Sequence, residues 1–264
     1  MATDMPSAVP TAVPTALAAE VERLPAEVAL RLWEQAFGQP PWVRDDLLLS
    51  AADAQPTPGT LGARNAALLR LHASWFGARL ELLSTCPHCA TTIEFAAECD
   101  ALAPQLDGAP PAALQALEVD GHRVEFRVPD VEAVVLASTA LPQPAAGPDF
   151  ADRLWSVCVL SAARDGRPCG VADLPEPVRL AVTERMEALD PGASVSFALD
   201  CPGCAARWQA PFDIGLALWR KLQAQAERLL IDVDTLARAY GWAEHEVLAL
   251  SALRRAAYLQ LVRA

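Results

Sequence analysis

The chain has 264 residues, of which 53% are apolar and 20% charged, and 33 acidic against 21 basic side chains give a net charge of −12. This length is typical of one large domain or two small ones. A chain this long can bury a hydrophobic core that folds without disulfides or metal ions. The acidic charge argues against a general binder of nucleic acid or of anionic membranes, since both need a basic face. Seven cysteines are too few for a disulfide scaffold in so long a chain.

Residues 1–22 are rich in Ala, Pro and Thr, and Pro6, Pro10 and Pro14 recur at every fourth position. Proline at this spacing blocks a helix and small side chains bury little area, so we expect a disordered tail, with an extended partner-binding arm as the alternative. The stretch lacks the pattern of a secretory signal, and no run approaches the roughly 18–20 apolar residues of a membrane span. We therefore expect a cytoplasmic protein.

Residues 23–211 are expected to form an α+β body that begins with helices. Apolar residues at helical spacing predict helices over about 25–37, 42–52 and 61–76. Thr60 is a suitable N-cap for the third of these helices, and Gly77 a suitable end.

Beyond Gly77 the apolar pattern becomes that of short antiparallel strands. Residues 117–128 alternate apolar and charged side chains around Asp120-Gly121, a favoured two-residue hairpin turn. Asp130 is expected to cap a short helix. The remaining predicted elements of the body are helices over 150–163 and 174–189 and a strand over 194–199.

Residues 212–264 are predicted to be a C-terminal helical region. Helices are expected over 216–230, 233–240 and 243–262, with a break at Gly241 that makes a helical hairpin. This region carries 6 acidic and 7 basic side chains, so the first 211 residues hold the excess negative charge. A DNA-reading helix-turn-helix is disfavoured, because the helix after Gly241 offers only two adjacent arginines, Arg254 and Arg255, and the chain as a whole is acidic.

Two cysteine pairs form an internal repeat. Both read strand, Cys-Pro-x-Cys-Ala, polar turn and strand, once at Cys86 and Cys89 and again at Cys201 and Cys204. Each such zinc knuckle supplies half of a tetrahedral shell, so the four cysteines together predict one structural Zn²⁺ with no open position. Two matching copies are a far stronger signal than one.

Two alternatives to zinc stay open, a redox or disulfide pair and inert thiols. A redox motif is expected to open a helix beside a parallel strand, whereas these motifs lie between strands. Cys99 is close enough in sequence to replace a ligand, Cys158 looks like a buried inert thiol, and Cys169 lies in a loop. His88 is expected to be exposed and unliganded.

The chain lacks the short motifs that mark common enzymes. There is no Gly-rich phosphate loop, no Gly-x-Ser-x-Gly and no His-Glu-x-x-His, since His245-Glu246 is followed by Val-Leu-Ala. We therefore expect a protein that is not an enzyme.

The tail resembles a known family through the residues Leu229-Leu230, Leu236 to Glu244, Val247 to Leu250, Arg254-Arg255 and Tyr258-Leu259. Leu30 to Glu34 and the Cys-Pro-x-Cys hairpin add to the resemblance. The family comprises baseplate and baseplate hub assembly proteins, similar to those of T-even phages, of contractile phage tails and extracellular contractile injection systems. The resemblance spans about residues 25–100 and 195–264, and the middle of the chain carries none of it.

The resemblance implies a non-enzymatic assembly factor or minor structural component that binds baseplate or hub proteins. Such a protein acts in the cytoplasm, free or incorporated in an assembled particle. Because a helical hairpin at the chain end is accessible, the candidate partner-binding residues are Trp242, Leu250, Arg254, Arg255 and Tyr258. The alternatives from other classes are a zinc-stabilised nucleic-acid or regulatory adaptor and a Cys-x-x-Cys redox enzyme.

Overall fold

The computed structural model describes residues 23–52, 59–107, 113–139 and 150–263. The predicted disordered tail, residues 1–22, lies outside the described residues. Within them the chain is α+β, with many helices and short antiparallel sheets, as the sequence predicts.

The described helices are α1 (Ala26–Ala36), α2 (Pro41–Ala51), α3 (Leu61–Phe76), α4 (Cys99–Leu106), α5 (Val131–Thr139), α6 (Phe150–Cys158), α7 (Glu176–Leu189), α8 (Ile214–Tyr240), α9 (Glu244–Leu248) and α10 (Ala252–Arg263). The strands are β1 (Arg79–Thr85), β2 (Thr92–Glu98), β3 (Gln115–Val119), β4 (His122–Phe126), β5 (Val159–Arg164), β6 (Arg167–Pro168), β7 (Ser196–Asp200) and β8 (Arg207–Pro211). They form three sheets, ordered β1-β2, β3-β4-β5-β6 and β7-β8.

The chain divides into two compact units. The main unit is residues 32–222, and the terminal unit combines the described residues 23–31 with 223–263. The boundaries between the two units fall inside α1 and inside α8. The sequence predicts that the C-terminal helical region begins earlier, at residue 212. No helix among the described residues combines the length and the apolar character needed to span a membrane.

The four-stranded sheet has one buried face in the main unit. Val124 and Phe126 of β4 are fully buried and belong to one core cluster with Val178 and Val182 of α7. The β3–β4 turn has left-handed backbone at Asp120 (φ 50°) and Gly121 (φ 73°), as a two-residue hairpin requires. The predicted hairpin at this position is therefore confirmed.

The helix predicted over residues 150–163 is wrong in its second half. The helix ends at Cys158, and Val159–Arg164 is strand β5, paired antiparallel with β4. Val159 and Ala162 are buried in the same core as β4. Pairing with a distant strand has overridden the local helical pattern, because it satisfies the backbone and buries these side chains together.

A buried carboxylate connects α3 to the segment before β7. The Gly62 amide donates to both carboxylate oxygens of Asp190, at 3.0 and 3.2 Å, and Asp190 is 3% exposed. A Cβ on Gly62 would lie 2.8 Å from the Leu106 carbonyl oxygen and 2.9 Å from Gly192 Cα. Glycine at residue 62 is therefore needed for these backbone segments to approach this closely.

The terminal unit has a small core of its own. Leu236 of α8, Val247 of α9 and Leu259 of α10 are buried together. Gly241, at φ 71°, ends α8 where the sequence predicts a break. The prediction of separate helices over 216–230 and 233–240 is wrong, since α8 is continuous and its sequence there contains neither Gly nor Pro. The single helix predicted over 243–262 is also wrong, because the chain turns between α9 and α10.

Candidate metal centre

The first cysteine pair lies in the turn between β1 and β2. Thr85 pairs with Thr92, so residues 86–91 form the loop. The Cys86 amide donates to the Thr91 carbonyl at 2.9 Å, and the Ala90 amide donates to the Cys86 carbonyl at 3.0 Å. Ala90 has left-handed backbone, with φ 59°. The loop is thus held by its own backbone with both sulfurs at one end of the hairpin.

The second pair repeats this geometry between β7 and β8. Asp200 pairs with Arg207, and residues 201–206 form the loop. The Cys201 amide donates to the Ala206 carbonyl at 2.9 Å, the Ala205 amide donates to the Cys201 carbonyl at 2.9 Å, and Ala205 has φ 57°. The sequence repeat is therefore also a repeat of hydrogen bonds and of backbone conformation.

The two loops bring all four sulfur atoms together. The Sγ atoms of Cys86, Cys89, Cys201 and Cys204 all lie within 4.8 Å of one another. The distance from Cys86 to Cys204 is 3.7 Å and that from Cys89 to Cys201 is 3.5 Å. Zn–S bonds of about 2.3 Å in a tetrahedron place sulfurs about 3.8 Å apart, whereas a disulfide needs about 2.05 Å. The four cysteines are separate thiols at a spacing that fits one ion.

Aromatic packing holds the two hairpins in place. Phe95 of β2 and Phe197 of β7 contact edge to face, with 5.2 Å between ring centroids, and Phe212 lies 5.6 Å from Phe197. Edge-to-face pairs of this kind contribute about 0.5–1.5 kcal/mol beyond their buried area. No sequence motif marks these residues. The sequence pattern that could have indicated them is the alternation of apolar and polar side chains along each strand that flanks a cysteine pair.

The pKa values of the two exposed thiols, Cys89 and Cys204, are shifted in opposite directions. Hydrogen bonds from the Thr91 hydroxyl and amide lower the pKa of Cys89 to about 6. Cys204 is helped to ionise by the Ala206 amide, but its neighbouring thiols and its desolvation outweigh that effect and raise its pKa to about 12. Four thiolates this close repel one another, and a divalent cation would supply the missing positive charge.

The residue between the cysteines differs between the two loops. His88 is exposed and outside the sulfur cluster, as expected. Gly203 occupies the equivalent position, and a Cβ there would lie 3.0 Å from Thr91 Oγ1. The absence of a side chain at residue 203 therefore lets the second loop approach the first, which the sequence analysis does not anticipate.

The other cysteines stand apart from the cluster. Cys99 is fully buried with its sulfur 3.6 Å from His72 Nδ1, and burial raises the pKa of its thiol to about 11. Cys99 is not among the converging ligands. Cys158 is fully buried in the core around β4, as predicted, and Cys169 is half-buried.

The candidate partner-binding residues are not all accessible. The expectation is wrong for Arg255, which is 5% exposed and bonded through Nε to Asp232 Oδ2 at 3.2 Å. Trp242 and Tyr258 are half-buried and contact each other edge to face at 4.8 Å. Leu250 is half-buried and Arg254 is exposed. The most exposed large apolar side chains of the terminal unit are Ile231, Leu253 and Leu261, which no sequence motif marks.

The fold and the sulfur cluster define the class of this protein as α+β with a four-cysteine group suited to a metal ion. Comparison with protein-family models, with curated proteins and with solved structures finds no match to the chain.

Proposed function

We propose that Cys86, Cys89, Cys201 and Cys204 bind one Zn²⁺ with a structural role. The supporting observation is the convergence of four thiols from two matching hairpins. Soft thiolates in a tetrahedral set suit zinc, and four of them leave no position for water or substrate. The ion would therefore act as a cross-link between the hairpins and not as a Lewis acid.

Metal analysis of the full chain tests this proposal. We expect one zinc per chain after purification without chelator, and the absorption bands of tetrahedral cobalt–thiolate after exchange with Co²⁺. Cys204→Ser should reduce the bound metal, whereas Cys169→Ser, which alters a cysteine outside the cluster, should keep it. A wild-type chain that binds no zinc, before or after reconstitution, contradicts the proposal.

We further propose that the chain is a non-enzymatic assembly factor or minor structural component of a contractile injection system or phage-tail baseplate. This role rests on the sequence resemblance described above. A closed structural metal site and an acidic chain are consistent with a protein that acts by binding other proteins. Its partners would be baseplate or hub subunits in the cytoplasm, before or during incorporation into a particle.

The partner contact is proposed on the solvent-exposed residues of α10 in the terminal unit. Arg254 is the exposed charged residue of the predicted set, and Leu253 and Leu261 on the same helix are 64% and 66% exposed. A spacing of eight residues keeps these two leucines on the same broad face of α10. Large apolar side chains presented to solvent beside an arginine are typical of protein interfaces.

Co-expression with baseplate, hub, tube and spike subunits from the same gene cluster tests the role. We expect the tagged chain to retain one of these subunits, and Arg254→Glu combined with Leu253→Ser to weaken that retention at least tenfold. The matched control is Arg123→Glu, an exposed charge reversal in the main unit, which should bind normally. Failure to retain any subunit, or equal retention by both variants, contradicts the proposed partner contact.

A further inference from the structure

The four-cysteine cluster contains two exposed and two buried sulfurs. Cys89 and Cys204 are exposed, whereas Cys86 and Cys201 are 1% and 3% exposed. Each exposed sulfur lies beside the buried sulfur of the other hairpin, at 3.5 Å for Cys89 with Cys201 and 3.7 Å for Cys204 with Cys86. An oxidant from solvent can thus reach one member of each pair first.

We propose that this cluster is an oxidation site at which hydrogen peroxide converts the four ligands to two disulfides between the hairpins. The pairs are Cys89–Cys201 and Cys86–Cys204, and the metal leaves as Zn²⁺. This inference rests on the proposed zinc site. Zinc itself has no redox chemistry, so all the electrons come from the sulfurs.

The first disulfide forms in two balanced steps. The Cys89 sulfur attacks one oxygen of the peroxide, an S–O bond forms, the O–O bond breaks and hydroxide leaves, which gives a sulfenic acid. The Cys201 thiolate then attacks the Cys89 sulfur, an S–S bond forms, the S–O bond breaks and a second hydroxide leaves. Two thiolates have lost two electrons and one peroxide has gained them.

The second disulfide forms by the same steps with Cys204 as the exposed sulfur and Cys86 as the attacking one. Four thiolates and two peroxides give two disulfides and four hydroxides, and Zn²⁺ is released because disulfide sulfurs are poor ligands. Each sulfur pair has to close by about 1.5–1.7 Å, from the observed distances to about 2.05 Å.

The pairing has a structural consequence. The sulfur contacts cross from one hairpin to the other, while backbone bonds such as that from Cys86 to Thr91 hold each loop in its own turn. Disulfides between the hairpins therefore keep them joined after the metal is lost. Disulfides within each Cys-x-x-Cys would leave no covalent bond between the hairpins, which would then be joined only by packing such as that of Phe95 against Phe197.

Peptide mapping distinguishes these two outcomes in the wild-type chain. Trypsin cuts after Arg79 and Arg123, and after Arg185 and Arg207, so the cysteine pairs fall in peptides 80–123 and 186–207. The zinc-loaded chain is treated with hydrogen peroxide, released zinc is followed with a chromogenic chelator, and remaining thiols are alkylated under denaturing conditions. Unreduced tryptic peptides are then analysed by tandem mass spectrometry.

We expect one zinc released for two peroxides consumed, and the two peptides joined through Cys89–Cys201 and Cys86–Cys204. Cys99, which shares the first peptide, should carry the alkylating group because it is fully buried in the folded chain. Cys169→Ser is the control and should give the same zinc release and the same joined peptides. Separate peptides, each lighter by two hydrogens, or any other pairing overturns the inference.

The zinc content measured before peroxide is added separates this inference from the proposed function. A chain that binds no zinc fails the proposed function. A chain that binds one zinc and then gives disulfides within each hairpin, or sulfinic acids without disulfides, fails only the inference.

Discussion

Substitution of the proposed zinc ligands should destabilise the main unit by an amount set by their positions in the chain. Cys89 and Cys201 are separated by residues 90–200, so one ion would close a loop that contains every element from β2 to β7. Closing a loop of about 100 residues removes chain entropy from the unfolded state worth about 4.7 kcal/mol at 25 °C. This value applies if the unfolded chain keeps the ion.

A larger value applies if only the folded chain binds the ion. Zinc-finger peptides that bind the metal only when folded gain about 10–16 kcal/mol. For units of 150–250 residues, each kcal/mol changes the midpoint of thermal unfolding by about 2–4 °C. Even the loop-closure value therefore corresponds to a midpoint lower by about 9–19 °C in the absence of metal.

Substitutions at the two exposed cysteines of the cluster test the proposed zinc site most directly. Cys89 and Cys204 are exposed, and a serine at a surface position without a ligand role changes stability by less than about 0.5 kcal/mol. We expect Cys89→Ser and Cys204→Ser each to lower the midpoint by at least about 9 °C, the loop-closure value above. Excess chelator should lower the wild-type midpoint to that of the variants.

Thermal unfolding followed by circular dichroism, with and without chelator, measures these midpoints. Cys169→Ser serves as the control because it alters a half-buried cysteine outside the cluster, and it should respond to chelator like the wild type. The reasoning is refuted if Cys89→Ser and Cys204→Ser melt at the wild-type temperature and chelator leaves that temperature unchanged.

Two further predictions concern the packing of the main unit. Gly62→Ala should lower the free energy of unfolding, measured with urea, by about 3 kcal/mol, because the new Cβ would overlap backbone atoms and disturb the buried hydrogen bonds to Asp190. The control is Gly170→Ala, whose Cβ would meet only the movable Asp173 side chain. This control should lower the free energy of unfolding by less than about 1 kcal/mol. Burial is the main cause that raises the pKa of Asp45 to about 6. The folded state therefore binds the Asp45 proton more tightly than the unfolded state does. As the pH rises from 4 to 6 and this proton is lost, the free energy of unfolding falls by up to about 3 kcal/mol. Asp45→Asn should therefore be the more stable chain above pH 6 by about that amount in urea unfolding, and parallel pH profiles for the two chains would contradict this.

Features that depend on a few neighbouring residues could be predicted from the sequence. Thr60 accepts from the Ala63 amide as the N-cap of α3, and Asp130 accepts from the Ala133 amide at the start of α5. The Asp120-Gly121 turn and both cysteine loops also form within a few residues of chain. In each case the side chain or the backbone freedom that makes the structure is read directly from the sequence.

Features that depend on distant partners could not be predicted in this way. Strand β5 exists because β4 lies beside it, and its own residues favour a helix at short range. The bond from Gly62 to Asp190 joins residues 128 positions apart, and the Phe95–Phe197 contact joins the two cysteine hairpins. The sequence around one residue of such a pair does not indicate which distant residue it contacts. These contacts form only when segments far apart in the chain pack together in the folded main unit.

The cysteine cluster is the exception, since a local motif there predicts a long-range contact. One Cys-x-x-Cys loop can supply only two of the four ligands of a tetrahedral zinc site. A proposed site of this kind therefore requires a second pair of ligands, wherever that pair lies in the chain. The tail residues have no such requirement, and their selection by position alone fails at Arg255, which is bonded to Asp232. The proposed contact surface of the terminal unit is better chosen from exposure, at Ile231, Leu253 and Leu261, because large apolar side chains in solvent gain free energy when a partner buries them.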